Sequence, residues 1–313
     1  MKKIIYVSFL LLCSLASPAQ EFRSSLVQYQ MNALPLNPAY SSYKEATGFE
    51  AIYFGNFAGN GQLSRSVTVN MQGATESGGL GLTFRFYRDA FFGEINLRPA
   101  WSRRFSLQNG GEMAFGAVLG INYFDVNNSF LSAIESDFMT FDGGFGIYYH
   151  DGRFFAGLSV INFLEKSILL ESSSPRDNPQ RENPYNFHAG GVFPLTQDLD
   201  LKPVILFKYT NVYTLPDQAF QNDAQNISFD IQANVFIQKT YLVGISYGFT
   251  KPEFGTGYNR YAFSATYIFG NFRLSYSIEN NQSNNAVSLP VSHILSAGYD
   301  LWNREEGGVF RYF

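Results

Sequence analysis

From residue 225 to residue 236 the sequence alternates without a slip. Ile227, Phe229, Ile231, Ala233 and Val235 fall on one side, and Asn226, Ser228, Asp230, Gln232 and Asn234 fall on the other. A period of two belongs to a β-strand, whose successive side chains point to opposite faces. Strands in soluble sandwiches usually run about five or six residues, so this one is long. The pattern recurs at 79–88, where Leu80, Leu82, Phe84 and Phe86 oppose Thr83 and Arg85, and again at 258–269 and 272–280. Ten less regular segments follow the same logic: 47–57, 64–72, 92–105, 112–124, 142–150, 153–163, 185–193, 199–209, 240–249 and 293–302. In the 199–209 segment Val204 and Leu206 break the rule, because they fall on the side that is otherwise polar.

The N-terminus explains why so many long strands would be needed. Lys2 and Lys3 precede an almost wholly apolar run from Ile4 to Leu15, and Ser17-Pro18-Ala19 offers small residues for cleavage before Gln20. Residues 1–19 therefore read as a secretory signal peptide, too short for a stable span. Cys13 is the one cysteine, inside that run and behind the bulky Leu12, which does not suit lipidation. The mature chain of about 294 residues would hold no cysteine and no disulfide. Its aromatic share is 17% and its charged share 15%, whereas a soluble domain carries about 25% charged residues. Without Lys2 and Lys3, 20 basic residues face 26 acidic ones, a net charge of −6. That balance argues against a nucleic-acid partner, which calls for a basic surplus. No later window reaches 18 uninterrupted apolar residues, so no spanning helix is expected. A chain that meets lipid without helices must bond all its backbone groups by closing a barrel.

The connections support an all-β, antiparallel outer-membrane barrel of about fourteen strands. The even-numbered connections are short and carry turn residues, such as Asn109-Gly110, Asp151-Gly152 and Gly270-Asn271. The odd-numbered ones, at 58–63, 125–137, 164–184, 211–224, 251–257 and 281–292, are longer, with only the third, around Asp89, brief. Short periplasmic turns and long external loops are the habit of such barrels, which places both termini in the periplasm. Residues 20–44 carry Pro35 and Pro38 and do not read as a strand. They form a periplasmic or plug segment ahead of a barrel at 45–313. Asn37 before Pro38 favours a turn that either positions this segment for docking or simply starts the barrel.

Chemistry is sparse. His150, His188 and His293 lack the neighbours of a metal site, and no hydrolase, Walker or dinucleotide motif occurs in the right setting. Gly78-Gly79-Leu80-Gly81 opens a strand and reads as a turn or a place of close packing. No catalytic residue, metal or cofactor is expected. Arg85, Glu94, Arg98, Lys202, Lys208, Asp230, Arg260, Arg273 and Glu279 fall on lumen faces, either as a salt-bridged interior or as a lining selective for a solute. A barrel hydrolase, testable at His188 or Asp230, is a third reading.

Several stretches resemble the PorP/SprF family of the Bacteroidetes type IX secretion and gliding system. Gln28-Tyr29-Gln30-Met31-Asn32 followed by Leu36-Asn37-Pro38-Ala39-Tyr40 is similar to that family's mature N-terminal signature. Leu201-Lys202-Pro203 through Lys208-Tyr209 resembles a family strand with a proline and a terminal lysine. Leu274-Ser275-Tyr276-Ser277, then Ser292-His293-Ile294 and Ala297-Gly298-Tyr299, resemble another, although Ile278-Glu279 stands where Tyr-Asp is the rule and no glutamate separates His293 from Ile294. Phe310-Arg311-Tyr312-Phe313 resembles the family's aromatic and basic end. The resemblance implies a non-enzymatic outer-membrane barrel that anchors or couples secreted surface proteins and periplasmic components. Its partners would be type IX secretion components, including ring or peptidoglycan-linked lipoproteins, and the C-terminal domain of a secreted adhesin, within outer-membrane lipids. Asn32, Leu36, Asn37, Pro38, Ala39, Tyr40 and His293 are the motif residues expected to serve docking. The alternative is a transport channel for small or hydrophobic solutes.

Overall fold

The computed structural model describes residues 29, 32–45, 47–58, 61–74, 77–89, 92–108, 110–126, 138–163, 166–169, 181–213, 224–252, 257–283 and 288–301. Fourteen strands form one antiparallel sheet that closes on itself. They are β1 (Gly48–Ala58), β2 (Gly61–Ala74), β3 (Gly78–Arg88), β4 (Phe92–Ser106), β5 (Glu112–Val126), β6 (Phe138–His150), β7 (Phe154–Val160), β8 (Arg181–Gly191), β9 (Leu199–Tyr213), β10 (Ala224–Ile237), β11 (Tyr241–Pro252), β12 (Tyr258–Phe269), β13 (Phe272–Ser283) and β14 (Ser288–Asp300). Each strand pairs with its sequence neighbours, and β14 closes on β1 from Gly48↔Asp300 to Phe57↔Val291. Closure removes the open edge that lipid cannot satisfy. No described helix is long and apolar enough to cross a membrane.

Alternation sorts the two faces. Leu80, Leu119 and Ile245 point outward at 65%, 68% and 64% exposure, which suits hydrocarbon and not water. Asn70, Asn96, Asp142, Asp230, Asn234 and Arg273 point inward and are buried. All nine charged residues assigned to the lumen are buried there. At the end carrying the short turns, outward rings form a continuous belt. It passes from Tyr241 to Tyr267, Phe269, Phe272, Tyr299 and Phe49 with centroids 4.6–6.0 Å apart. Toward the other end Tyr247 meets Tyr261 at 5.4 Å and Tyr185 meets Tyr209 at 6.2 Å. Such belts mark the two borders of the hydrocarbon.

Several boundaries differ from the sequence reading. Ladders run beyond the expected ends, to Phe138, Tyr213 and Ser283, and the connection expected at 58–63 shrinks to residues 59–60. Backbone groups are better paired than solvated, so the ladder continues past the apolar stretch. The seventh strand, expected at 153–163, stops at Val160. Asn162 turns there with φ +63°, a conformation asparagine tolerates, and its Oδ1 accepts from Arg98 Nη2 at 2.8 Å. Strand pairing with β6 resumes at Lys166–Leu169. The eighth strand begins at Arg181 instead of 185, and after a break at Val192 the pair Phe193–Pro194 continues along β9. In the Asp151-Gly152 turn only Gly152 takes a positive φ, +85°. Residues 1–19, the C-terminal Phe310 to Phe313, and most of the long connections lie outside the described residues.

Before β1 the chain forms a 3-10 helix, Pro38–Glu45, one residue longer than the segment boundary expected at 44. It packs inside the barrel against β2, β3, β4, β5 and β6.

Candidate functional site

The most elaborate arrangement among the described residues is the seat of this N-terminal segment. Ala33, Leu34, Leu36, Ala39, Tyr40 and Tyr43 form one apolar cluster with wall residues that include Ala100, Ala114, Val118, Phe155, Val204 and Leu206. Those wall residues all point into the lumen, where apolar side chains would be costly without a cover. Val204 and Leu206, the two that break alternation, are both 0% exposed. Their placement is explained by what covers them.

Asn37 is the pivot. Its Nδ2 donates to the carbonyls of Ile147 on β6 and Leu158 on β7 at 2.9 and 3.3 Å. Its Oδ1 accepts the Ala39 N–H at 3.0 Å and so caps the start of the 3-10 helix. The amide reaches the wall because Gly146 and Gly157 leave room, since a Cβ on either would collide with the Asn37 side chain. Pro38 and Ala39 lie against Gly116 in the same way, and a Cβ at Gly79 would meet the Ser41 backbone. Gly81 faces Leu34. The glycines of the Gly78–Gly81 run thus serve close packing. A Cβ-free wall lets one backbone approach another, which is what glycine in a strand is for.

Further contacts hold the segment along its length. Asn32 Oδ1 accepts from the Leu34 N–H at 3.0 Å, and Leu36 O accepts from Ser159 Oγ. Ser41 and Ser102 hydroxyls meet at 2.7 Å, while Gln72 Nε2 and Arg104 Nη1 donate to the carbonyls of Tyr40 and Ser42, each at 3.3 Å. Tyr40 stacks on Tyr43 at 4.8 Å, and both present edges to Tyr148 at 5.5 and 5.4 Å. Tyr43 also touches His150.

Six of the seven motif residues therefore come together: Asn32, Leu36, Asn37, Pro38, Ala39 and Tyr40 are all buried in the seat. His293 does not join them. It stands on the outer face opposite Gly55, its Nδ1 2.7 Å from the Tyr276 hydroxyl and its ring against Phe57. Sequence reasoning missed the wall half of the seat, Gly116, Gly146, Gly157, Ser102, Ser159 and Tyr148. The signal available was Val204 and Leu206 on the wrong face.

On the side of the long connections the lumen is polar and its charges meet one another. Arg98 pairs with Asp142 at 3.0 Å, and Arg260 holds both oxygens of Asp230 at 2.7 and 2.9 Å. Asn122 joins the first pair to Thr140 and to Asn96. Nearer the short turns, His188 packs between Tyr148 and Phe155, and His150 meets Glu112 at 3.1 Å. Among the described residues no three His, Cys, Asp or Glu side chains gather as metal ligands.

Solved barrels share this architecture. The CymD monoaromatic hydrocarbon channel matches with TM-score 0.55 at 11% identity, over 86% of this chain and 92% of its own. A Pseudomonas aeruginosa FadL homologue matches at 0.51 and 8%, over 85% and 93%. The deltaS2 mutant of the TodX monoaromatic hydrocarbon channel matches at 0.51 and 10%, over 86% and 93%. At these identities the likeness is one of fold, that of an outer-membrane barrel. No curated protein matches the sequence. The family model for the type IX secretion system membrane protein PorP/SprF, in contrast, matches residues 20–299, a span that includes the segment in the lumen and all fourteen strands up to Tyr299, and the chain belongs to that family.

Proposed function

We propose that this barrel anchors or couples type IX secretion components in the outer membrane, and that its own N-terminal segment blocks the lumen. The observation that carries this reading is the seat: a buried segment bonded to the wall through Asn37, Ser41 and the Tyr40 and Ser42 carbonyls. A lumen filled by its own chain leaves the two rims as working surfaces. In this reading the short turns and both termini face the periplasm, following the habit of outer-membrane barrels. There they meet ring or peptidoglycan-linked lipoproteins, while the long connections face a surface adhesin's C-terminal domain. Family and fold are not enzymatic classes, and the chain works without catalysis or cofactor.

A second reading, transport of small or hydrophobic solutes, draws on the hydrocarbon channels among the structural neighbours and on the polar lumen beyond the segment. Gentle detergent pull-down of the tagged protein from outer membranes, with mass spectrometry of what co-purifies, separates the two. Type IX components in stoichiometric amounts are the expected result. A lone barrel that conducts ions in planar bilayers would move transport ahead.

A further inference from the structure

The outer wall is not uniformly filled between its two aromatic belts. Across β11, β12, β13, β14, β1 and β2 lies a groove of about 600 Å³. Its floor is Val243 and Ala265 on one side of β13 and Ala297 and Ala51 on the other, where neighbouring outward positions carry Tyr, Phe, Ile or Leu, and on β13 itself it passes between Leu274, opposite Ala297, and Tyr276, opposite Ala265. Ala297 stands directly opposite Ala51 in the β1–β14 register, and Ala265 stands opposite Val243 in the β11–β12 register. Tyr267 closes the groove at the short-turn belt, and Tyr276 bounds it on the side where it bonds His293. The groove therefore lies within the apolar band and crosses the strands.

We propose that this groove holds one acyl chain of a membrane phospholipid as a resident ligand. Three observations select that occupant. The groove is continuous with the lipid-facing surface, whose outward residues are apolar. Its length is sufficient for a chain: six strands about 4.8 Å apart span about 24 Å, more than the about 15 Å that a leaflet's chains reach, half the hydrocarbon core. Its shape suits a thin rod and not a second barrel, because the Tyr and Leu side chains along its rim would hold another convex wall away from the alanine floor. Within hydrocarbon the gain is dispersion, since a chain in the groove touches carbon on three sides and a chain on a convex wall touches one.

The test uses the full mature protein in nanodiscs of palmitoyl-oleoyl phosphatidylethanolamine, transferred to mild detergent and weighed by native mass spectrometry. The wild type retains a phospholipid through washing. Ala297→Phe fills the floor and lowers retention about tenfold, the effect of losing about ten carbon–carbon contacts. Ile231→Phe, outward on β10 and away from the groove, leaves retention unchanged. Should Ala297→Phe fail to assemble, the milder Ala265→Leu is read in the same way. Equal retention in filled and control variants overturns the proposal, as does a wild-type mass corresponding to two copies of the chain without lipid.

Discussion

Replacing Asn37 with alanine should release the N-terminal segment without dissolving the barrel. Three bonds disappear together: two donated to Ile147 and Leu158 carbonyls and one accepted from the Ala39 N–H. A net hydrogen bond contributes about 1 kcal/mol and a stranded buried donor costs about 1–3 kcal/mol, so the sum is about 3–5 kcal/mol. At 1.4 kcal/mol per factor of ten, the docked-to-undocked ratio falls by roughly 10²-fold to several thousandfold. The strand ladders do not depend on Asn37, so heat-modifiable migration on gels should still report a closed barrel. Hydrogen exchange reads the equilibrium directly, because amide protection follows the free energy of local opening. Protection at Tyr40 and Tyr43 should fall by about the same factor, while protection in β10–β13 stays constant. A fall of less than about threefold in an intact barrel would mean that packing alone holds the segment, and the assignment of Asn37 as its anchor would be wrong.

Other outcomes follow from the same geometry. Gly116→Val should expel residues 37–40, because even a Cβ there collides with the Ala39 backbone, whereas Gly73→Ala, where a Cβ meets nothing within 4 Å, should be silent in the same exchange assay. Arg98→Met leaves Asp142 buried and unpaired and should lower barrel stability by about 3–5 kcal/mol in urea titrations, with the added change Asp142→Leu restoring most of it. Asp151, at the turn after β6, accepts N–H bonds from Phe154 and Arg153 at 2.7 and 3.0 Å, and the Phe154 bond above all lowers its pKa. A folded pKa below the ordinary value of about 3.9 stabilises the turn fully above that value, and the stability is lost as pH falls through the folded pKa. The Phe154 amide should therefore exchange faster, relative to its intrinsic rate, as pH drops below about 4, and Asp151→Asn should flatten that dependence.

The barrel was legible because its two solvents differ: every second residue of β10 from Ile227 to Val235 must suit hydrocarbon, and the intervening ones must suit a polar interior. The seat was legible only as an irregularity. Val204 and Leu206 showed that something apolar covers the lumen wall, but not what. Gly116, Gly146 and Gly157 carry no face preference in an alternation, so the notches they leave are invisible until another strand and Asn37 are placed beside them. The break at Asn162 was hidden for a related reason, since its partner Arg98 is 64 residues away and only the closed fold brings them together. The lipid-face groove depends on small residues of separate strands, the Ala51–Ala297 pair on one side of β13 and the Val243–Ala265 pair on the other, which no single segment displays.

The segment inside the lumen also constrains how the chain can assemble. Its helix touches β2 to β6, all in the first half of the sheet, and none of these contacts requires β14. Contacts close in sequence form early because little loop entropy is lost in making them. The first half of the sheet can thus curl around a core that it carries with it, apolar side inward, before the second half exists. When β14 finally meets β1, the seam closes around a segment already in place, so no extended chain has to be threaded through a finished ring.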